Sequence, residues 1–185
     1  MLDPKARALL LTRTAAFTGL IAVGAWISLP FFPVPLTLQT LFVLLAGAVM
    51  HRYAVIPTSL YLLLGALNLP VFHNGTAGLG ILLGPTGGYM LGFIPAALLV
   101  GLAYEQSRKS IRISGLIAGS ASIYALGTIW LTLTAGLPFY EALIIGVLPF
   151  IPGDILKGYV AYLIADRLER RKKPYIPRND NGVEV

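Results

Sequence analysis

The sequence predicts an all-α, polytopic membrane protein with six transmembrane helices, both termini cytoplasmic, and re-entrant or half-helical outer loops before helices 4 and 6. Three observations predict it. Of 185 residues, 56% are hydrophobic and only 12% charged, whereas about a quarter of an average soluble domain is charged. The apolar stretches run about 17 to 25 residues, the length that carries a helix across roughly 30 Å of hydrocarbon. With six crossings, every Lys and Arg of the fourteen except Lys157 falls on one side, and the Lys/Arg-rich side is the cytoplasmic one.

Span 1 follows Lys5, Arg7 and Arg13 and runs to about residue 29; its length, and the lack of a small-residue cleavage site, argue against a removable signal peptide. Pro30, Pro33 and Pro35 then force an extended turn, because proline cannot continue a helix and restrains the residue before it. Span 2 covers about 36–49, with Thr37, Gln39 and Thr40 polar at its start, and a His51-Arg52 turn leads to span 3 at about 54–67. Residues 68–85 are rich in Asn, Pro and Gly around an apolar Ile81-Leu82-Leu83, which predicts a loop folded back into the outer face. Span 4 covers about 86–104, and Arg108, Lys109 and Arg112 fill the turn before span 5, about 113–135. Gly136-Leu137-Pro138 breaks the chain, and 140–148 is too short to cross, so it predicts a half-helix ahead of Pro149 and Pro152. Span 6 starts near Pro152, a residue suited to a first helical turn, and leaves the membrane near Asp166, with a frayed tail beyond it. Residues 1–173 thus form one membrane domain, and 174–185 a polar tail.

Composition also excludes chemistry. There is no cysteine, and the two histidines, His51 and His73, lie far apart, so neither thiolate catalysis nor a metal site is expected. The net charge of +6 reports topology rather than nucleic-acid binding. No Walker A sequence is present, so ATP-driven work must come from another subunit. A single carboxylate beside a lysine, with no Ser/His constellation, does not make an enzyme, and no cofactor is implied.

Four features carry candidate function. Asp154 and Lys157, at i and i+3, share one helix face, and ionisable residues at membrane depth are functional candidates by default. The competing reading is that Asp154 caps the helix and pairs with Lys157 for stability alone. In Gly84-Pro85-Thr86-Gly87-Gly88-Tyr89, Gly87 and Gly88 at a helix mouth either let backbone approach a ligand or let helices pack, and Thr86 either caps the helix or lines the site. Pro33-Val34-Pro35-Leu36-Thr37-Leu38-Gln39 offers hydroxyl and amide groups to a ligand or to a neighbouring helix. Ala15 and Gly19, with Ala8, Ala16 and Ala22 near the same surface, form a small-residue stripe suited to close approach of another helix, inside this chain or in a partner.

Taken together, these motifs, in this order on six spans, resemble the BioY family of biotin-binding S components of energy-coupling factor (ECF) vitamin transporters, over about residues 8–172. The resemblance implies a subunit of the cell membrane that captures biotin outside and delivers it inward, energised by a transmembrane scaffold subunit and two ATPase subunits. Lys157 would neutralise the biotin carboxylate. Asp154 and Asn74 would hydrogen-bond the ureido group, Gly87 and Gly88 would permit close backbone approach, and Tyr89 would pack on the bicycle. Thr86, Gln39 and Thr37 would line the site, and Ala15, Gly19 and Ala22 would meet the scaffold, although Gly19 departs from the alanine of the family motif. The rival reading is a solitary transporter or channel for another small solute.

Overall fold

The computed structural model describes residues 3–172; the expected tail, 174–185, lies outside the described residues. Helix α1, Pro4–Trp26, has proline in its first turn, where a missing N–H costs nothing. It buries Thr14, Phe17, Thr18, Ile21, Gly24 and Ala25, a single stripe at helical spacing. The proline-rich connection is closed by two short antiparallel strands, β1 (Ser28–Leu29) and β2 (Leu36–Thr37), with Ser28 opposite Thr37; its Phe32–Pro33 peptide is cis.

Helix α2 (Gln39–Met50) ends at His51, whose φ of 56° breaks it, and a short turn leads into α3 (Val55–Ala66). Gln39 Nε2 donates to Tyr61 Oη across 22 positions of sequence. A straight helix would hold those residues about 33 Å apart, so the chain folds back at His51 into a hairpin of α2 and α3, with α1 packed against both. Short α4 (Leu79–Leu83) and α5 (Gly87–Leu91) precede α6 (Phe93–Tyr104). Helix α7, Lys109–Ala135, stops at Gly136, whose left-handed φ of 66° closes a helix at no Cβ penalty. A short helix, α8 (Phe139–Gly146), is bent by 55° from the helix that follows, α9 (Ile151–Lys172).

Of the frayed segment expected after Asp166, residues 167–172 are instead the last turns of α9, and the remainder lies outside the described residues. Arg170 pairs with Asp166 at i,i+4, and Glu169 is held by Arg112 of α7, so both side-chain and interhelix contacts favour helix to Lys172.

Helices α2 and α6 form the centre. Val43, Leu44 and Ala46 face Ala96, Ala97 and Val100, all fully buried, and a Cβ at Gly47 would stand 2.7 Å from that of Val100, so only glycine permits this approach. The outer surface is apolar instead, with Leu133, Ile155 and Ile117 among its most exposed residues, as a protein solvated by lipid requires. By length and composition, α1, the stretch 39–66, α5 with α6, and α7 can each cross a membrane, and the bent pair α8–α9 passes the same test only when its two helices are taken together as one span. The protein is a multi-pass membrane protein.

The bundle has two chemically distinct ends. At one, Arg52 forms a bidentate pair with Glu105, and Arg13, His51, Arg112 and Glu169 surround one cavity. At the other end of α2 lie Gln39, Thr40, Asp154 and Lys157.

Candidate functional site

A cavity of about 50 Å³ is enclosed by β2, α2, α5, α6, α7 and α9 with the loops before them. Its polar floor is a quartet from three helices. Lys157 Nζ donates to Asp154 Oδ1 at 2.7 Å and to Thr40 Oγ1 at 3.1 Å, while Thr40 donates to the same carboxylate oxygen at 3.0 Å. Tyr124 Oη donates to the other oxygen, Oδ2. Both charges are nearly dry, with side-chain exposures of 13% for Lys157 and 8% for Asp154. Low dielectric strengthens every bond in such a network and makes a missing one costly.

The two readings of the Asp154–Lys157 pair now separate in part. The ion pair is formed, but Asp154 is no N-cap. It lies in the first turn of α9, its own N–H bonds Phe150 O, and its carboxylate accepts from side chains of α2, α7 and α9. The pair therefore sits at a junction of helices, lining a cavity, rather than serving one helix end.

The wall is aromatic. Tyr89 is stacked on Phe150 with centroids 6.4 Å apart, Phe31 meets the other ring edge-on at 6.2 Å, and Tyr89 Oη donates to Gly146 O. Tyr89 fits because Gly127 and Gly146 are bare: a Cβ at either would overlap the ring or its hydroxyl. An apolar wall over a polar floor suits a ligand with a flat apolar body and an anionic or hydrogen-bonding end.

Of the residues singled out in the sequence, Thr37, Gln39, Thr86, Tyr89, Asp154 and Lys157 line this cavity. The amide of Gln39 is engaged inside the protein, donating to Tyr61 and accepting from Thr37. Gly87 and Gly88 do not line it: a Cβ at Gly87 would collide with Leu82 O, and one at Gly88 with Trp130 and Leu126 O. Both glycines permit close packing, Gly87 on α4 and Gly88 on α7. Asn74 is exposed and sits at a left-handed φ of 55°. Its Oδ1 accepts from Ser28 Oγ at 2.6 Å, which ties the loop to β1 beside the cavity. Its neighbour His73 lines the cavity instead, with Nδ1 buried and unpartnered; burial holds that imidazole below its ordinary pKa and so favours the neutral form. Ala15 and Gly19 face outward on α1, with nothing within 4 Å of a Cβ placed on Gly19, and Ala22 is half-buried.

Sequence reasoning missed Tyr124, Thr40, Phe150 and His73 as site residues. Tyr124 left the clearest signal, a hydroxyl in the middle of an apolar span.

A sequence model of the BioY family matches residues 3–174. The chain belongs to the BioY family. Among its family relatives, the "Biotin transporter BioY" of Thermotoga maritima is 43% identical over 167 residues, covering 86% of this chain and 95% of that one. The "Probable biotin transporter BioY" of Pyrococcus horikoshii is also 43% identical, over 156 residues, 84% of this chain and 93% of that one. Both are named as transporters, not enzymes. The fold matches a crystal structure described as the S-component for biotin from an ECF-type ABC transporter, with a TM-score of 0.82, 29% identity, and coverage of 94% of this chain and 96% of that one.

Proposed function

We propose that this BioY chain captures biotin in the cavity over Asp154 and Lys157, as the S component of an ECF-type transporter. The observation that carries the reading is the buried quartet of Thr40, Tyr124, Asp154 and Lys157 beneath the Tyr89–Phe150 wall. Biotin offers a flat thioether bicycle for the wall, a ureido group with two donors and one acceptor, and an ionised carboxylate. Lys157 receives the carboxylate as a charge-assisted hydrogen bond. Asp154 accepts from the ureido N–H groups, and Asn74, one residue from the cavity wall, turns its amide from Ser28 to the same group. Thr37, Gln39 and Thr86 shape the rim, with Gly87 and Gly88 setting the position of Tyr89 through their packing on α4 and α7.

The hairpin at His51 divides the stretch 39–66, which brings the crossings to six and returns both termini to the basic end. By the positive-inside rule that end is cytoplasmic, and the biotin cavity opens outside, flanked by the short helices α4 and α8 as re-entrant pieces. The outward face of Ala15 and Gly19 with Ala22 is the surface a transmembrane scaffold would grip, and the scaffold with two ATPases supplies the energy for inward delivery. Residues 1–173 act as one membrane domain.

Equilibrium binding of labelled biotin to the detergent-purified chain tests the reading. Saturable binding, competed by unlabelled biotin and weakened about tenfold by Asn74→Ala, as loss of one hydrogen bond to a buried group requires, is expected. No binding at micromolar biotin by a folded chain would sink it and favour a solitary transporter of another solute.

A further inference from the structure

The opposite end of the bundle holds a larger cavity, about 450 Å³, that the capture of biotin leaves unused. It is lined by Arg13, His51, Tyr104, Arg112, Leu168 and Glu169 among others. Three features make it a site for an anion. Arg13 is half-buried on α1, and no hydrogen bond or ion pair engages its guanidinium among the described residues; its five N–H donors are all available. Arg112 spends Nε on Gln106 O and two further N–H groups on Glu169, which leaves donors over, and its guanidinium is fixed 5.3 Å above the Tyr104 ring. Tyr104 is 5% exposed, and its hydroxyl is buried with no hydrogen-bond partner. Buried polar atoms are nearly always satisfied, so the unpaired hydroxyl of a residue that lines the cavity together with Arg13 and Arg112 points to a missing partner there.

We propose that this cavity binds phosphate, and that the phosphate is the headgroup of an anionic phospholipid. A second, smaller cavity of about 170 Å³ shares Arg13 and is lined otherwise by Ala6, Leu9, Leu10, Met50 and Tyr53. It is apolar where the first is basic. Arg13 therefore stands between a pocket for a charged headgroup and a surface for the first methylenes of an acyl chain. A free phosphate uses only the first pocket; a lipid uses both. Basic pockets between helices at the Lys/Arg-rich side of a membrane protein recognise anionic headgroups in this way. The bound lipid would bridge α1, α2, α6, α7 and α9 at the end where both termini leave the membrane.

Native mass spectrometry of the full chain in neutral detergent tests this, with titrations of phosphatidylglycerol, phosphatidylcholine of the same chains, and inorganic phosphate. Phosphatidylglycerol is expected to bind about tenfold more tightly than phosphatidylcholine, because both carry the phosphate but the choline ammonium of the second is repelled by the two arginines. Arg13→Gln is expected to weaken phosphatidylglycerol about fivefold, Tyr104→Phe to weaken it by a similar factor, and Arg13→Lys to retain most of it. Neither Arg13 nor the Tyr104 hydroxyl holds another group in place, so neither Arg13→Gln nor Tyr104→Phe should lower the unfolding temperature without lipid. Equal binding of both lipids, or Arg13→Gln binding as the parent does, overturns the proposal. Inorganic phosphate binding as tightly as phosphatidylglycerol overturns the lipid as its source and assigns the pocket to a free anion.

Discussion

Replacing Lys157 by methionine keeps an unbranched apolar stem and removes only the ammonium. Nζ lies 2.7 Å from Asp154 Oδ1 and 3.1 Å from Thr40 Oγ1, with both charged side chains nearly buried. The substitution strands the carboxylate on two hydroxyl donors, and breaking a buried pair in this way costs about 3–5 kcal/mol of stability. Asp154→Asn added to Lys157→Met removes the stranded charge, so most of that loss should return in thermal unfolding. The ligand side needs a separate cycle. If Lys157 also receives the biotin carboxylate, a charge-assisted bond of about 1.5–3 kcal/mol is lost, roughly 10- to 150-fold in Kd at 1.4 kcal/mol per tenfold. The same loss should follow when the parent protein binds the neutral amide of biotin. Lys157→Met should then bind biotin and its amide alike, because charge deleted on one partner makes charge on the other worthless. The assay is competition of each ligand against labelled biotin in all four combinations. Equal weakening of biotin and amide by Lys157→Met would refute the reasoning and leave Lys157 only as the counter-ion of Asp154.

Two further outcomes are expected. Tyr124→Phe deletes the donor to Asp154 Oδ2 and should cost about 1.5–3 kcal/mol, as for a hydrogen bond to a charged group, read as a lower unfolding temperature together with weaker biotin binding; an unchanged value of both would show that the hydroxyl contributes nothing. Gly88→Ala places a methyl against Trp130 and 2.5 Å from Leu126 O, which as overpacking should cost about 1–3 kcal/mol; strong loss of biotin affinity at unchanged stability would instead return Gly88 to the ligand surface.

Much of this fold follows from local properties. Hydropathy and length mark the spans, because every backbone group in hydrocarbon must bond within its own segment. The breaks at Pro30–Pro35 and Gly136–Pro138 are written in residue stereochemistry, and the separation of basic ends from the Asp154–Lys157 end follows from counting Lys and Arg along the chain. The Asp154–Lys157 pair was legible because i,i+3 spacing on a helix fixes proximity without any knowledge of the rest.

Partners across helices were not legible. Thr40 and Tyr124 reach Asp154 from 114 and 30 positions away, and which faces of α2, α7 and α9 turn toward one another depends on helix rotation and crossing, set by side-chain packing over the whole bundle. The glycines show the same limit. A missing Cβ serves close approach of a ligand or of a helix equally well, so sequence left Gly87 and Gly88 open. Only the folded chain shows Leu82 and Trp130 standing where a Cβ on either glycine would be. Residues 167–172 show that limit as well: charge along a single segment reads as solvent-exposed tail until the fold brings Arg112 of α7 against Glu169 and holds these turns of α9 in place. Sequence alone determined what must be buried in lipid and where the chain must turn, both local costs; tertiary structure decided what each buried polar group meets, because that is a property of pairs.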